Sequence, residues 1–144
     1  NKVHIDVVLV GIGITVGWAM KAAENLQKQG VNALVVNARF VKPLDADLFK
    51  RVARLCPKIL TVEENVRMCG FGSSVLEFYE QENLLSQIHI KCLGIPDQFY
   101  EQATQAKLQS VAGIDTDSII KTAKEMLAAD EALTQKNIQQ KSAF

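Results

Sequence analysis

The sequence predicts an α/β protein, a three-layer αβα sandwich with a mostly parallel sheet. Two observations support this fold class. Short runs of β-branched residues alternate along the chain with segments of helical apolar periodicity, and glycine, proline or aspartate marks most boundaries between them. Four strand segments separated by helices favour right-handed βαβ crossovers. The length of 144 residues is that of one domain.

The first βαβ unit occupies the N-terminal part of the chain. Residues 5–10 are a nearly unbroken apolar run, typical of a parallel strand that is covered on both faces. A helix is predicted next, ending near Gly30, and residues 31–36 are predicted to form the second strand. The buried face of this helix is expected to carry Val16, Ala19, Met20, Ala23 and Leu26.

The second helix is predicted to begin after Asp45, because this side chain can accept hydrogen bonds from the free amides of the first turn. Pro57 ends the helix, and residues 58–62 are predicted to form the third strand. The apolar face of the helix is expected to carry Leu48, Val52 and Leu55.

The C-terminal part is predicted to contain a third helix over residues 73–81, a fourth strand over 88–93 and a last helix after the capping cluster 115–118. The third helix is expected to bury Val75, Phe78 and Tyr79, and the last one Ile119, Ile120, Ala123, Met126 and Leu127. Periodicity is lost beyond this point, so we expect a domain over residues 1–128 and a frayed tail over 129–144.

The composition excludes several classes of function. Sixteen Lys and Arg balance sixteen Asp and Glu, so no basic excess favours nucleic acid. The apolar runs are shorter than the ~20 residues of a membrane-spanning helix, so a membrane protein is not expected. Three widely spaced cysteines favour a reducing, cytoplasmic location. From the absent initiator Met we expect the chain to belong to a longer protein.

Ligands of open α/β sheets bind at the carboxyl ends of the strands, so the glycine loop after the first strand is a candidate ligand site. Gly11, Gly13 and Gly17 resemble a dinucleotide loop, but the third glycine of that fingerprint should stand three residues after the second, and Gly17 stands four after it. The second strand also ends without the ribose-binding acid. A tight turn is therefore favoured over a nucleotide site.

Glu63 and Glu64 stand at the end of the third strand and could act as an acid and a base. Neighbouring residues of a strand point to opposite faces, so hydrogen bonding to loop backbone or a salt bridge is the favoured interpretation. Ser73, in the glycine-rich turn before the third helix, is predicted to be an N-cap rather than an anion ligand. The turn with Pro96 and Asp97 is expected to shape a loop.

The order of these motifs is more specific than any one of them. The segments 39–45 (RFVKPLD), 61–65 (TVEEN), 70–75 (GFGSSV), 94–99 (GIPDQF) and 113–115 (GID) follow one another along the chain. This series resembles the C-terminal domain of the 1-deoxy-D-xylulose-5-phosphate synthases, which are thiamine-diphosphate enzymes of the transketolase superfamily. The resemblance covers about residues 5–128. Cys69 and Phe71 stand where these synthases commonly have Gly and Ala.

The resemblance implies a parent transferase that decarboxylates pyruvate on thiamine diphosphate and joins the two-carbon fragment to glyceraldehyde 3-phosphate, for isoprenoid, thiamine and pyridoxal synthesis. In that family the Mg²⁺-diphosphate site and the activating glutamate belong to the preceding domains. The resemblance therefore implies no catalytic, cofactor-binding or metal-binding residue in this chain. It implies that the chain is a structural domain that supports a homodimer of the parent enzyme. Transketolases, 2-oxoacid dehydrogenase β subunits and an autonomous nucleotide- or metabolite-binding module are the alternatives.

The strand-end residues are expected to face a neighbouring domain or subunit. Arg39 is expected to bridge Glu63 or Glu64 on an adjacent strand end, or an acid of a partner domain. A clamp on the substrate phosphate is the less favoured role for this arginine. The interface or family-motif candidates are Arg39, Lys42, Pro43, Asp45, Glu63, Glu64, Asn65, Gly70, Gly72, Ser73, Pro96, Asp97 and Phe99.

Overall fold

The protein folds as a four-stranded parallel sheet with helices on both faces. The computed structural model describes residues 4–97 and 104–141, with only the backbone for 105–106 and 130–141. The elements are β1 (Val7–Gly11), α1 (Thr15–Gln27), β2 (Ala33–Asn37), α2 (Ala46–Leu55), β3 (Lys58–Val66), α3 (Phe71–Gln81), a 3₁₀ turn (Leu85–Gln87), β4 (His89–Ile95), α4 (Gln105–Ala112) and α5 (Thr116–Lys141).

The strand order is β2-β1-β3-β4, so β1 lies between β2 and β3. Val8 pairs with Leu34 on one side and with Ile59 on the other. All five residues of β1 are buried, as expected for a strand that is covered on both faces. The predicted α/β sandwich is confirmed, and its described strands are all parallel.

Each face of the sheet packs against its own helices. On one face α1 and α5 bury Ala19, Leu26 and Met126 against Leu9 and Leu60. On the other face α2 and α3 form a second core with the opposite side of the strands. This core contains Val8, Val10, Ile59, Phe49, Val52, Phe71, Val75 and Tyr79. The alternation of side chains along β1 therefore supplies both cores.

Two predictions about buried helix faces are wrong. Met20 is 54% exposed, and so is Leu55. The fully buried side chains of α2 are Phe49 and Val52, and Cys56 directly after the helix is buried too, so the buried stripe is rotated from the predicted one. The burial predicted for Val75, Tyr79 and Ile119 is confirmed.

The C-terminal part contains a helix that the sequence analysis missed. Thr104 caps α4 by accepting a hydrogen bond from the Lys107 amide at 3.4 Å, and Gly113 ends the helix with φ +71°. This Thr and Gly pair is the pattern that could have revealed it. The last helix extends to Lys141, beyond residue 128, and the division into a domain over 1–128 and a tail over 129–144 stays a prediction.

Among the residues that the structure describes, no helix is long and apolar enough to cross a membrane.

Candidate functional site

The loops that follow the strands meet at one side of the sheet, because all four strands run in the same direction. We call this side the carboxyl edge. It comprises the loop residues 12–14, 38–44 and 96–97 and the segment 64–70, which includes the C-terminal end of β3. Most of the predicted site residues lie there or at the adjoining ends of the strands and helices, and Phe99 lies outside the described residues.

Glu63 occupies the centre of this edge, and its side chain is only 1% exposed. Its Oε2 accepts a hydrogen bond from the Phe71 amide at 2.7 Å, and its Oε1 accepts one from the Gly72 amide at 2.9 Å. These amides belong to the first turn of α3, where backbone donors lack helical partners and the helix dipole favours a negative charge. The favoured interpretation of Glu63, hydrogen bonding to backbone, is confirmed, although the two amides belong to a helix and not to a loop.

Glu64 is exposed, so the two glutamates do not form a facing pair. Glu63 is directed into the protein and both of its oxygens accept helix amides. This arrangement is suited to holding backbone in place, because each carboxylate oxygen is already engaged.

Three glycines leave room for the Glu63 carboxylate and for the turn around it. A Cβ on Gly70 would collide with that carboxylate and with the Val66 carbonyl oxygen. A Cβ on Gly94 would lie 3.0 Å from Glu63 Cγ. On Gly72 it would lie 2.8 Å from the Cβ of Cys92. The glycines of the family motifs thus permit close approach of backbone to side chain.

The prediction that Ser73 is an N-cap is wrong. The helix begins two residues earlier, at Phe71, with Gly70 as its N-cap residue and no local side-chain cap. Ser73 instead donates its hydroxyl to the Arg67 carbonyl at 3.1 Å. The cap comes from Glu63, which is distant in sequence from the usual capping position, so local spacing could not reveal it.

The segment 64–70 comprises the last three residues of β3 and the connection 67–70 to α3, and it is fixed at several points. The Arg67 amide donates to the Ile95 carbonyl at 2.9 Å, and the β3–β4 register shifts between Val62 and Val66. Cys69 has φ +57°, a left-handed conformation that costs a non-glycine residue free energy. Glycine adopts such a conformation without this cost, in line with the glycine that the resemblance implies at this position.

Arg39 is exposed near the start of the connection from β2 to α2. It has φ +58°, its amide donates to Asn37 Oδ1 at 3.0 Å, and its guanidinium lies 5.8 Å from the centre of the Phe40 ring. The expectation that Glu63 or Glu64 lies on an adjacent strand is wrong, because β1 separates β2 from β3. The described ion pairs include none between Arg39 and either glutamate.

Other predicted residues of the edge have structural partners or face solvent. Asp45 caps α2, as predicted, by accepting a hydrogen bond from the Leu48 amide at 2.9 Å. Lys42 and Pro43 are exposed and joined by a cis peptide bond. Asn65 and Asp97 are exposed and Pro96 is half-buried.

The glycine loop after β1 is a tight turn around Thr15. The Ile12 amide donates to the Thr15 hydroxyl at 2.9 Å, and the amides of Val16 and Gly17 donate to carbonyls within the loop. A nucleotide phosphate would need such amides to be free. The preference for a plain turn over a nucleotide site is therefore supported by the hydrogen bonds.

Four large apolar side chains are exposed at the carboxyl edge. Ile14, Phe40, Val66 and Met68 are 51%, 61%, 44% and 66% exposed, and they come from three loops and the end of β3 that adjoins one of them. Single exposed apolar residues are ordinary, but several at one edge indicate an interaction surface. The sequence pattern did not reveal these residues, because isolated apolar residues in loops have no periodicity.

Cys92 and Thr61 lie beneath this edge, beside Gly72. Burial raises the pKa of the Cys92 thiol, and a contact with the Thr61 hydroxyl opposes this effect. Thr61 Oγ1 makes no hydrogen bond of ordinary geometry with the described residues, so this contact is a weak one. A thiol with a raised pKa is a poor nucleophile at neutral pH.

Two clefts of the described structure lie away from this edge. One, of about 420 Å³, lies between the end of α1 and the start of β2, and the other, of about 290 Å³, is lined by Lys50, Arg54 and Glu82. No three His, Cys, Asp or Glu side chains among the described residues are arranged to hold a metal ion.

Comparisons with known proteins find relatives over most of this chain. A family model described as "Transketolase, C-terminal domain" matches residues 2–119. A 1-deoxy-D-xylulose-5-phosphate synthase of Syntrophus aciditrophicus is 50% identical over 119 residues, which are 83% of this chain and 18% of that protein. A 1-deoxy-D-xylulose-5-phosphate synthase 1 of Geobacter sulfurreducens is 45% identical over 127 residues, which are 88% of this chain and 20% of that protein.

A solved structure titled "Split gene transketolase, inactive beta4 tetramer" has a similar fold. Its TM-score is 0.79 at 31% identity, and the match covers 88% of this chain and 41% of that one. The chain spans about a fifth of the length of the two synthases that it matches.

Proposed function

Because this chain belongs to the family of transketolase C-terminal domains, we propose that it is the C-terminal domain of a 1-deoxy-D-xylulose-5-phosphate synthase. The observation that carries the proposal is the 50% identity to one such synthase over 119 residues. Identity to the solved transketolase is lower, at 31%. This difference favours the synthase over the transketolase alternative.

The proposed reaction of the full-length protein joins two carbons of pyruvate to glyceraldehyde 3-phosphate, with loss of CO₂. Thiamine diphosphate with Mg²⁺ supplies the carbanion chemistry of such a transferase. The described residues do not fit this cofactor. The amides at the start of α3, which could bind a diphosphate, are already engaged by Glu63. We therefore assign the cofactor site to the remainder of the protein and derive no catalytic step from this chain.

The proposed role of the chain within that enzyme is to support its assembly. The exposed apolar residues of the carboxyl edge favour contact with a neighbouring domain or subunit. Arg39, Lys42 and Asn65 are exposed at this edge and are candidates for polar contacts at the rim of such an interface. We propose a homodimer and, from the three widely spaced cysteines, a cytoplasmic location.

The test compares the full-length protein with the 144-residue chain. The full-length protein is expected to form 1-deoxy-D-xylulose 5-phosphate from pyruvate and glyceraldehyde 3-phosphate when thiamine diphosphate and Mg²⁺ are present. The chain alone is expected to form none and to bind no thiamine diphosphate in calorimetric titration. Two-carbon transfer between sugar phosphates without pyruvate would identify a transketolase instead. A micromolar cofactor site in the chain alone would contradict the assignment of that site to other domains.

A further inference from the structure

We propose that Glu63 is a positioning residue whose buried carboxylate holds the segment 64–70 in the shape that docks against the preceding domain of the same polypeptide. This inference rests on the proposed function, because it takes the chain to be one domain of a longer enzyme. It assigns Glu63 no contact with substrate or cofactor. Its effect passes through the backbone that its two hydrogen bonds hold.

The carboxylate connects the two ends of the segment. Glu63 precedes residue 64, and its oxygens accept hydrogen bonds from the amides of Phe71 and Gly72, which follow residue 70. Charge-assisted hydrogen bonds of 2.7 and 2.9 Å are stronger than those between neutral groups. The segment is therefore closed into a loop by a buried contact at its base.

The same loop is fixed at its middle. The Arg67 amide donates to Ile95 on β4, and the Arg67 carbonyl accepts from the Ser73 hydroxyl. Despite these restraints the loop keeps Val66 and Met68 exposed, at 44% and 66%. A restrained loop that presents apolar side chains loses little conformational freedom when it binds, which favours affinity.

The length of the related proteins favours a preceding domain as the partner that covers the carboxyl edge. The chain covers 18% and 20% of the two synthases, so about four fifths of such a protein lies outside it. The chain enters β1 at the opposite edge of the sheet, and the five residues of this strand span about 16 Å. A connection of a few extended residues is long enough to bring a preceding domain to the carboxyl edge.

Hydrogen–deuterium exchange tests the docking. The amides of residues 64–70 are measured in the 144-residue chain and in the full-length protein. Docking is expected to slow their exchange about tenfold or more in the full-length protein. Equal exchange in both proteins would overturn the proposal. Self-association of the 144-residue chain that Met68→Asp abolishes would also overturn it, because a second copy would then be the occupant.

Glu63→Gln tests the positioning role. The glutamine amide keeps one acceptor but places an N–H₂ group against a backbone N–H, so one hydrogen bond is lost. Exchange at whichever of the Phe71 and Gly72 amides loses its acceptor is expected to become about tenfold faster in the isolated chain. The extra protection of 64–70 in the full-length protein is expected to fall. Glu77→Gln, on the exposed side of α3, is the matched control and should change neither measurement.

A second control separates positioning from general loss of stability. Val52→Ala leaves a cavity in the core beneath α2, away from the carboxyl edge. It lowers stability without changing the hydrogen bonds of Glu63. If Val52→Ala reduced the protection of 64–70 as much as Glu63→Gln, or if Glu63→Gln retained it, the positioning role would be refuted. Synthase turnover of the full-length wild type is measured separately. An inactive protein would refute the proposed function and leave the exchange comparison valid.

Discussion

The hydroxyl of Thr15 lies 2.8 Å from the carbonyl oxygen of Val62, although 47 residues separate them in the chain. The same hydroxyl lies 2.9 Å from the Ile12 carbonyl, and it accepts a hydrogen bond from the Ile12 amide at 2.9 Å. Thr15 is fully buried at the start of α1. It therefore joins the loop after β1 to the end of the neighbouring strand β3.

Replacing this hydroxyl is expected to destabilise the domain. Thr15→Val has nearly the same shape but leaves the Ile12 amide and the Val62 carbonyl without this partner. We expect the free energy of unfolding to fall by about 1–3 kcal/mol, measured by denaturant titration. Thr15→Ser, which keeps the hydroxyl, should lose less. A larger loss for Thr15→Ser than for Thr15→Val would show that the methyl group and not the hydrogen bonds matters.

Gly72 and Gly17 are expected to respond oppositely to alanine. A Cβ at Gly72 would lie 2.8 Å from Cys92 Cβ, 2.9 Å from its Sγ and 3.0 Å from Thr61 Oγ1. Gly72→Ala should therefore cost about 1–3 kcal/mol of stability through overpacking. Gly17, in α1, has no such neighbour within 4 Å, and Gly17→Ala should gain about 0.5–1 kcal/mol from helix propensity. Calorimetric melting of both variants checks the contrast.

The buried phenol of Tyr79 is expected to make stability depend on alkaline pH. Its hydroxyl donates to the Phe49 carbonyl at 3.0 Å, and burial raises the pKa of Tyr79 well above its usual value. The folded state thus keeps a proton that the unfolded state releases above about pH 10. Stability from this group is complete below that pH and is lost above it, by about 1.4 kcal/mol per pH unit.

Tyr79→Phe separates this effect from the titration of other groups. The variant should lose about 1 kcal/mol at neutral pH through the missing hydrogen bond. Above about pH 10 its free energy of unfolding should fall less steeply than that of the wild type. Parallel curves for the two proteins in urea titrations at pH 9–11.5 would contradict the role of Tyr79.

Asp115 is expected to stabilise α5 in a way that acid removes. Its Oδ1 accepts a hydrogen bond from the Ser118 amide at 2.9 Å. Burial raises the pKa of Asp115, but hydrogen bonds with Ser118 and Ser110 outweigh burial and leave the pKa below its usual value. The stabilisation is present above the unfolded pKa of about 4 and is lost as the pH falls through the folded value.

Asp115→Ala should therefore cost about 1 kcal/mol at pH 7, and the cost should shrink below about pH 4. Asp117→Ala, an exposed change in the same first turn, is the control and should cost less, since an exposed carboxylate there contributes through the helix dipole. Thermal melting from pH 3 to 7 measures both variants. A cost of Asp115→Ala that does not depend on pH would refute the contribution of the charge.

The sequence by itself determined the fold class and the order of the elements, because these depend on local patterns. The apolar run that forms β1, the Asp45 cap of α2 and the buried Val75 and Tyr79 all follow from periodicity or from side chains that act on their own neighbours. The order of the motifs also indicated the family. Thr104 and Gly113 carried the local pattern of α4 as well, although the prediction did not use it.

Only the tertiary structure decided what the site residues do. Glu63 caps a helix that begins eight residues later, while Ser73, which had the composition of a cap, bonds to Arg67 instead. Arg39 follows β2 and Glu63 belongs to β3, and β1 lies between these two strands. Such contacts depend on which strands become neighbours and on where glycines permit close approach. Local sequence spacing contains no measure of these distances, so packing alone could assign the partners.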